Sequence, residues 1–269
     1  MNLYKYIQVL SIDVVAGACI STIYISNLLQ SPFSGIVVTA LGIAVWLIYT
    51  ADHLWDAKKN EAPSTLRHTF HQRYFNLIFG IWIIVAIAGL LVLFLLPSMI
   101  LKLGTVLLFV VIMYFLMLYF WSEKSALIKE FVIALLYTSG VFVSPIGLGF
   151  EMKPLFIFWI LSLYFLLAFL NVLIFSIYDE SEDRKDGHSS IVLKFGSNKV
   201  SQLTKILWFL GLLVLLLLGE KSGIDYYVFI LMFSMLGGVI FFRKIFQKNE
   251  WYRVLGDGIF IMPIIPLIA

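Results

Sequence analysis

Two pairs of aspartates at helical spacing carry the chemistry this chain can do. The stretch "IYTADHLWDAKK" (48–59) sets Asp52 and Asp56 four residues apart, and "SIYDESEDRKDG" (176–187) repeats the arrangement with Asp179 and Asp183. On an α-helix, residues i and i+4 share a face, about 5–6 Å apart. Two carboxylates held that way repel, more strongly as the local dielectric falls. A divalent cation resolves the conflict, and carboxylate oxygens are the ligands that Mg²⁺ or Ca²⁺ accepts. A single pair reads equally well as the solvated end of a helix. A second pair favours metal, because Mg²⁺ commonly takes only one or two carboxylates and completes its shell with water and substrate phosphates. Two facing pairs would suit Mg²⁺ bridging to a diphosphate. Basic residues follow both: Lys58, Lys59, Arg67 and Arg73 after the first, Arg184 and Lys185 after the second.

The elements that must position these acids are apolar. The chain is 61% hydrophobic and 13% charged, against roughly 25% charged in soluble domains. Runs of about 20 apolar residues, enough to cross a bilayer core as a helix, recur throughout. The reading is a polytopic all-α membrane protein with nine spans, near 7–28, 32–51, 74–94, 99–120, 127–149, 155–178, 202–219, 226–242 and 252–269. No linker or composition break divides it, so residues 1–269 form one domain. With the N-terminus in the cytoplasm, every Lys and Arg except Lys102, Lys153 and Lys221 falls on the cytoplasmic side. That is the asymmetry the positive-inside rule expects of short loops. It places both acid pairs at one face, each after an outside-to-inside crossing. A bacterial inner membrane is the expected location. "AGAC" (16–19) loosely resembles a lipoprotein cleavage site, but Asp13 interrupts the apolar run and the first span is expected to remain uncleaved.

With nine spans, "DHLWD" after the second and "DESEDRKDG" after the sixth, the chain resembles the UbiA superfamily of intramembrane prenyltransferases over nearly its whole length. The resemblance implies a helical bundle in which Asp52, Asp56, Asp179 and Asp183 hold Mg²⁺ and, through it, the diphosphate of an isoprenoid. The prenyl tail would lie in a cavity open to lipid and be transferred to an aromatic or lipid-precursor acceptor. Tyr119 and Lys124, in "YFWSEK", fall near the family's diphosphate contacts, with Arg67 and Arg73 as further basic candidates. Three departures point away from the well-studied branches. Ile48 and Phe175 stand where many members have Asn, Glu123 stands where a Lys is expected, and an Arg-Pro near the start of the first span is missing.

Other readings remain open at this level. A related enzyme could cyclise a prenyl diphosphate without an acceptor. A secondary transporter could use the carboxylates for ions or protons; against it, all four lie at one face and no discontinuous span is evident. No nucleic-acid partner is expected. His68 and His71 read as a solvated interfacial loop rather than a transition-metal site. Asp13, Asp257 and Asn171 lie within spans, where ionisable groups are functional candidates. Gly237 and Gly238 read as a close helix contact. Removal of Asp52 or Asp179 is expected to cost little stability, since it relieves like-charge repulsion.

Overall fold

A computed structural model of the chain describes residues 3–59, 65–121, 126–187, 189–217 and 223–268, and all its regular elements are helices. In chain order they are α1 (Leu3–Val9), α2 (Ile12–Leu28), α3 (Gly35–Lys59), α4 (Leu66–Arg73), α5 (Phe75–Leu93), α6 (Ser98–Trp121), α7 (Ala126–Leu148), α8 (Pro154–Tyr178), α9 (Glu180–Asp186), α10 (Ile191–Phe195), α11 (Ser197–Leu217), α12 (Ile224–Phe241), α13 (Arg243–Phe246), α14 (Trp251–Gly258) and α15 (Ile265–Ile268). Short 3₁₀ segments, Lys248–Glu250 and Ile259–Ile264, flank α14.

Among the described residues, eight helical segments are long and apolar enough to span a membrane, and α1 with α2 makes a ninth bent by 74°. The chain is an integral membrane protein with the expected number of crossings. Two spans are not the continuous rods the sequence suggested. The first breaks at Ser11, whose φ is 55°. Asp13 opens a fresh helix there, its Oδ1 accepting from the Val14 N–H at 3.0 Å, as an acid in a first turn does. The last passes into 3₁₀ geometry through Pro263, which lacks the N–H a helix interior needs. Discontinuous spans are therefore present, and the argument against a transporter keeps only the position of the acids.

Helix α8 is the axis of the bundle. In α8 61% of the spanning window is buried, against 6% in α5 and 11% in α6. All three are similarly apolar, so burial here follows contacts and not hydropathy. Lipid tails are as apolar as leucine, so outward Ile84, Leu90 and Phe109 carry no penalty. Side chains hydrogen-bonding to neighbouring backbones set the packing instead. Thr22 donates to Val141 O at 3.1 Å, Trp82 to Leu47 O at 2.9 Å, and Tyr178 to Val239 O at 2.7 Å. Gly237 does permit a close approach: a Cβ there would lie 2.6 Å from the Trp208 ring, whereas at Gly238 the nearest contact is 3.9 Å. Trp208 cannot easily yield, because its Nε1–H donates to Phe233 O at 2.7 Å. Gly237→Ala should thus cost about 1–3 kcal/mol by overpacking, and Gly238→Ala much less. Thermal unfolding of the two variants in detergent checks the difference.

Candidate active site at one face of the bundle

The first acid pair lies inside a helix, not after one. α3 runs to Lys59, so Asp52 and Asp56 occupy its last two turns with the i, i+4 register intact. The second pair straddles a junction. Asp179 follows the last residue of α8, and its carbonyl accepts the N–H groups of Glu182 and Asp183 at 2.9 Å, turning the chain into α9. Gly187 ends α9 with φ 69° and returns its N–H to Asp183 O, a left-handed closure that glycine adopts at least cost.

His68 joins the two segments. Its Nε2 lies 3.6 Å from Asp56 Oδ2 and its Nδ1 3.5 Å from Asp186 Oδ2. Thr65 places it by capping α4, its hydroxyl accepting the His68 N–H at 3.2 Å. His68 is thus no solvated loop residue; its side chain is 13% exposed, between two acid-rich segments distant in sequence. His71 is buried as well, its Nδ1 2.9 Å from Arg67 O and its ring 5.1 Å from that of His53.

Arg253, from α14, holds the other motif. Its Nη2 donates to Asp179 Oδ2 at 2.8 Å and lies 3.9 Å from Glu182 Oε2, while the Tyr252 hydroxyl donates to Asp179 Oδ1. Both oxygens of Asp179 are therefore engaged. Phe175, at a position where Asn was anticipated, lies under the Arg253 guanidinium at 5.6 Å, a cation–π contact that holds the arginine in place. Arg67 and Arg253, with Lys5, His68 and Glu250, line a cleft of ≈ 560 Å³ including its open mouth. Burial, with Arg253 nearby, lowers the Arg67 guanidinium from its ordinary value.

The remaining sequence candidates lie elsewhere. Arg73 is exposed, with its guanidinium 5.6 Å from the Tyr74 ring. Tyr119 is 64% exposed and packs edge-on against Trp55 at 5.9 Å, on the outward side of α3. Lys124 and Glu123 lie outside the described residues.

Burial and neighbouring charge act on the second acid pair. Burial first, and Asp179 next to it, push the Asp183 carboxyl up to about 6 against the pull of Lys129. Burial likewise raises Glu182 and lowers His71. A carboxyl raised in the folded state binds its proton more readily than the unfolded chain does. Its stabilising contribution is complete below the ordinary carboxylate range and is lost as pH rises through about 6. His71 acts in the opposite sense, so the informative quantity is a difference between proteins. Asp183→Asn should unfold at a higher temperature than wild type at pH 7.5, by up to about 2 kcal/mol after allowing for partial solvent contact. That gain should shrink to about half by pH 5 and vanish only below the ordinary carboxylate range. A pH series of melting curves on the substrate-free proteins checks it.

No family model and no curated protein matches this sequence. Solved structures do. A UbiA homologue from Archaeoglobus fulgidus, whose structure was determined with GPP and Mg²⁺ bound, superposes with a TM-score of 0.69 at 10% identity, covering 98% of this chain and 100% of that one. A UbiA homologue from Aeropyrum pernix K1, without ligands, superposes at 0.66 and 16% identity, covering 95% and 96%. The chain has the UbiA fold. Within that fold, the ends of α3 and α9 approach each other on either side of His68.

The donor set suits a hard cation. Every candidate ligand among Asp52, Asp56, Asp179 and Asp183 is a carboxylate oxygen, which fits Mg²⁺ and not the N/S preference of zinc. Among the described residues, no three His, Cys, Asp or Glu side chains converge on one metal position. A cation here would thus depend on a substrate's oxygens to complete its shell, which is the habit of Mg²⁺ with phosphates.

Two buried acids stand deeper in the UbiA fold. Asp13 and Asp257 are each 7% exposed, and Asn171 Nδ2 donates to Asp257 Oδ1 at 3.5 Å. The sequence flagged all three residues, but only the packing of α2, α8 and α14 brings Asn171 and Asp257 together.

Proposed function

We propose that the protein is a Mg²⁺-dependent prenyltransferase that moves the prenyl group of an isoprenoid diphosphate to a hydrophobic or aromatic acceptor within the membrane. The observation that carries this reading is that His68, set between the two acid motifs, and Arg253, paired with the second, both line one cleft together with Arg67 and Lys5. The UbiA fold, and the GPP and Mg²⁺ in the Archaeoglobus fulgidus structure, support the substrate class and the metal.

Asp52, Asp56, Asp179 and Asp183 would hold Mg²⁺, which when bound neutralises charge on the departing diphosphate. The residues of the chain have three tasks. Arg67, Arg253 and Lys5 attract the diphosphate into the cleft and stabilise the charge it gains as its bond to the prenyl carbon breaks, the electrostatic contribution that usually dominates such steps. His68 fixes the separation of the two motifs from between Asp56 and Asp186. The apolar bundle below keeps water from the electron-poor prenyl carbon until the acceptor attacks it. The positive-inside asymmetry supports a cytoplasmic position for this cleft.

The test is diphosphate release by protein purified into nanodiscs with Mg²⁺ and a panel of prenyl diphosphates. Transfer requires that release depend on an added acceptor extract and that a prenylated product appear by mass spectrometry. Release without acceptor, accompanied by a cyclic hydrocarbon, would assign the cyclase reaction instead. No release under any condition would refute both.

A further inference from the structure

Below the acid cleft lies a second void of ≈ 330 Å³, counting its open mouth, with Tyr49, Tyr137, Phe260, Asn171 and Asp257 in its wall. Its depth follows from helix geometry. Asp257 is one turn along α14 from Arg253, and Asn171 is eight residues before Asp179 on α8, about 12 Å at 1.5 Å per residue. Tyr49 precedes Asp52 by one turn on α3. The void is therefore on the membrane side of both motifs, where an acceptor could meet a prenyl group whose diphosphate stays in the cleft.

The polar part of this wall is acidic and holds no cationic side chain; the hydroxyls of Tyr49 and Tyr137 and the Asn171 amide are its donors. Asn171 is 6% exposed, and its Oδ1 has no hydrogen-bond partner. Asp257 receives one long bond, from Asn171 Nδ2 at 3.5 Å. Asp13 lies close behind. On α2, Gly17 one turn on from Asp13 has its Cβ direction 3.7 Å from Asp257 O and 3.0 Å from Phe260 Cβ, so this face of α2 abuts α14. Asp13 Oδ1 accepts the Val14 N–H, and Oδ2 is buried without a partner. The guanidiniums of Arg67 and Arg253 line the cleft and not this void. Buried oxygens left without donors are costly, and a ligand bringing an O–H group would serve Asn171 and Asp257, the two of these residues in the void's wall. A carboxylate would bring more negative charge beside Asp257 and Asp13, and no donor. Aromatic walls with a few polar groups at one end are the usual form of a small-molecule site.

We propose that this void is the acceptor subsite, and that it selects an uncharged, hydrogen-bond-donating acceptor, a phenol or an alcohol, over a carboxylate. The proposal rests on the prenyl-transfer reading and assigns the acceptor class that reading leaves open. Asp257 and Asn171 are the residues that select.

The experiment uses the full chain in nanodiscs with Mg²⁺ and geranyl S-thiolodiphosphate, a non-hydrolysable prenyl-diphosphate analogue. Affinities are measured for the analogue and then, in its presence, for benzyl alcohol and benzoate. These probes differ only in the group the void is argued to distinguish. Wild type should bind the alcohol at least about tenfold more tightly than the carboxylate, the effect of one good hydrogen bond. Asp257→Asn should lose most of that preference while binding the analogue as wild type does. If Asp257→Asn fails to bind the analogue, Asp13→Asn serves as the second variant, with the same expected loss. Equal binding of the probes, preference for the carboxylate, binding of neither, or a preference that survives both substitutions overturns the proposal. Failure of wild type to bind the analogue counts against prenyl transfer itself and is read separately.

Discussion

Asp52→Ala and Asp179→Ala should each reduce Mg²⁺-dependent release of diphosphate by at least about a hundredfold, the scale on which removal of a group stabilising developing charge acts. The two should differ in stability. The sequence alone suggested that losing either acid relieves repulsion and leaves the fold as stable as before. The structure corrects this for Asp179, whose oxygens take up the Tyr252 hydroxyl and the Arg253 guanidinium. Asp179→Ala leaves that cation, at 15% side-chain exposure, with only the more distant Glu182 at 3.9 Å as a carboxylate partner. Breaking a fully buried pair costs about 3–5 kcal/mol, and partial solvent contact brings the expectation to about 2–4 kcal/mol. Asp179→Asn keeps the shape and should recover part of the stability but not the turnover. Asp52 sits in a helical turn of α3, and its removal should lower turnover with a smaller change in melting temperature. Measurement of both quantities on the same preparations separates lost chemistry from lost fold. Full turnover by either alanine variant would remove the acid pairs from the site.

What the sequence showed was whatever depends on neighbours along the chain. Apolar runs of spanning length and the i, i+4 spacing of Asp52 with Asp56 are local, and both appear where expected. Two helix interruptions were local but overlooked: Asp13 was taken as an interruption of one span and is the start of a second helix, and Pro263 was read through. The contacts that complete the site are not local. His68 meets Asp56 and Asp186 only because Thr65 caps α4 and aims it back over the bundle. Arg253 reaches Asp179 across 74 residues of sequence, and the only available hint was an ionisable pair, Arg253 and Asp257, four residues apart in an apolar segment. The central place of α8 had no sequence signal, since lipid and protein interior select the same side chains. Phe175 illustrates the limit of motif reading. As a departure from a family pattern it pointed away from the well-studied branches, whereas in the fold its ring supports the arginine that holds Asp179.

Arg253 yields the other large effect, because it touches the acid motif and the basic cleft at once. In the substrate-free protein its guanidinium neutralises Asp179, so a cation arriving at Asp179 must share or displace that bond. Arg253→Ala should therefore have opposite consequences for two measurements. The variant should be less stable by about 2–4 kcal/mol without ligands, since a mostly buried carboxylate loses its partner. Mg²⁺ alone should then raise its melting temperature more than it raises that of wild type, because Asp179 Oδ2 is vacated. Turnover should nevertheless fall about 10- to 150-fold, the equivalent of a charge-assisted hydrogen bond of about 1.5–3 kcal/mol lost from the diphosphate. Arg253→Lys keeps the charge but loses the planar fork that meets Asp179 and Glu182 together, so it should fall between the two proteins in both measurements. A purely structural role for Arg253 would lower stability without enhancing the response to Mg²⁺. Equal Mg²⁺-induced shifts in wild type and Arg253→Ala would therefore separate Asp179 from the metal, whatever happened to turnover.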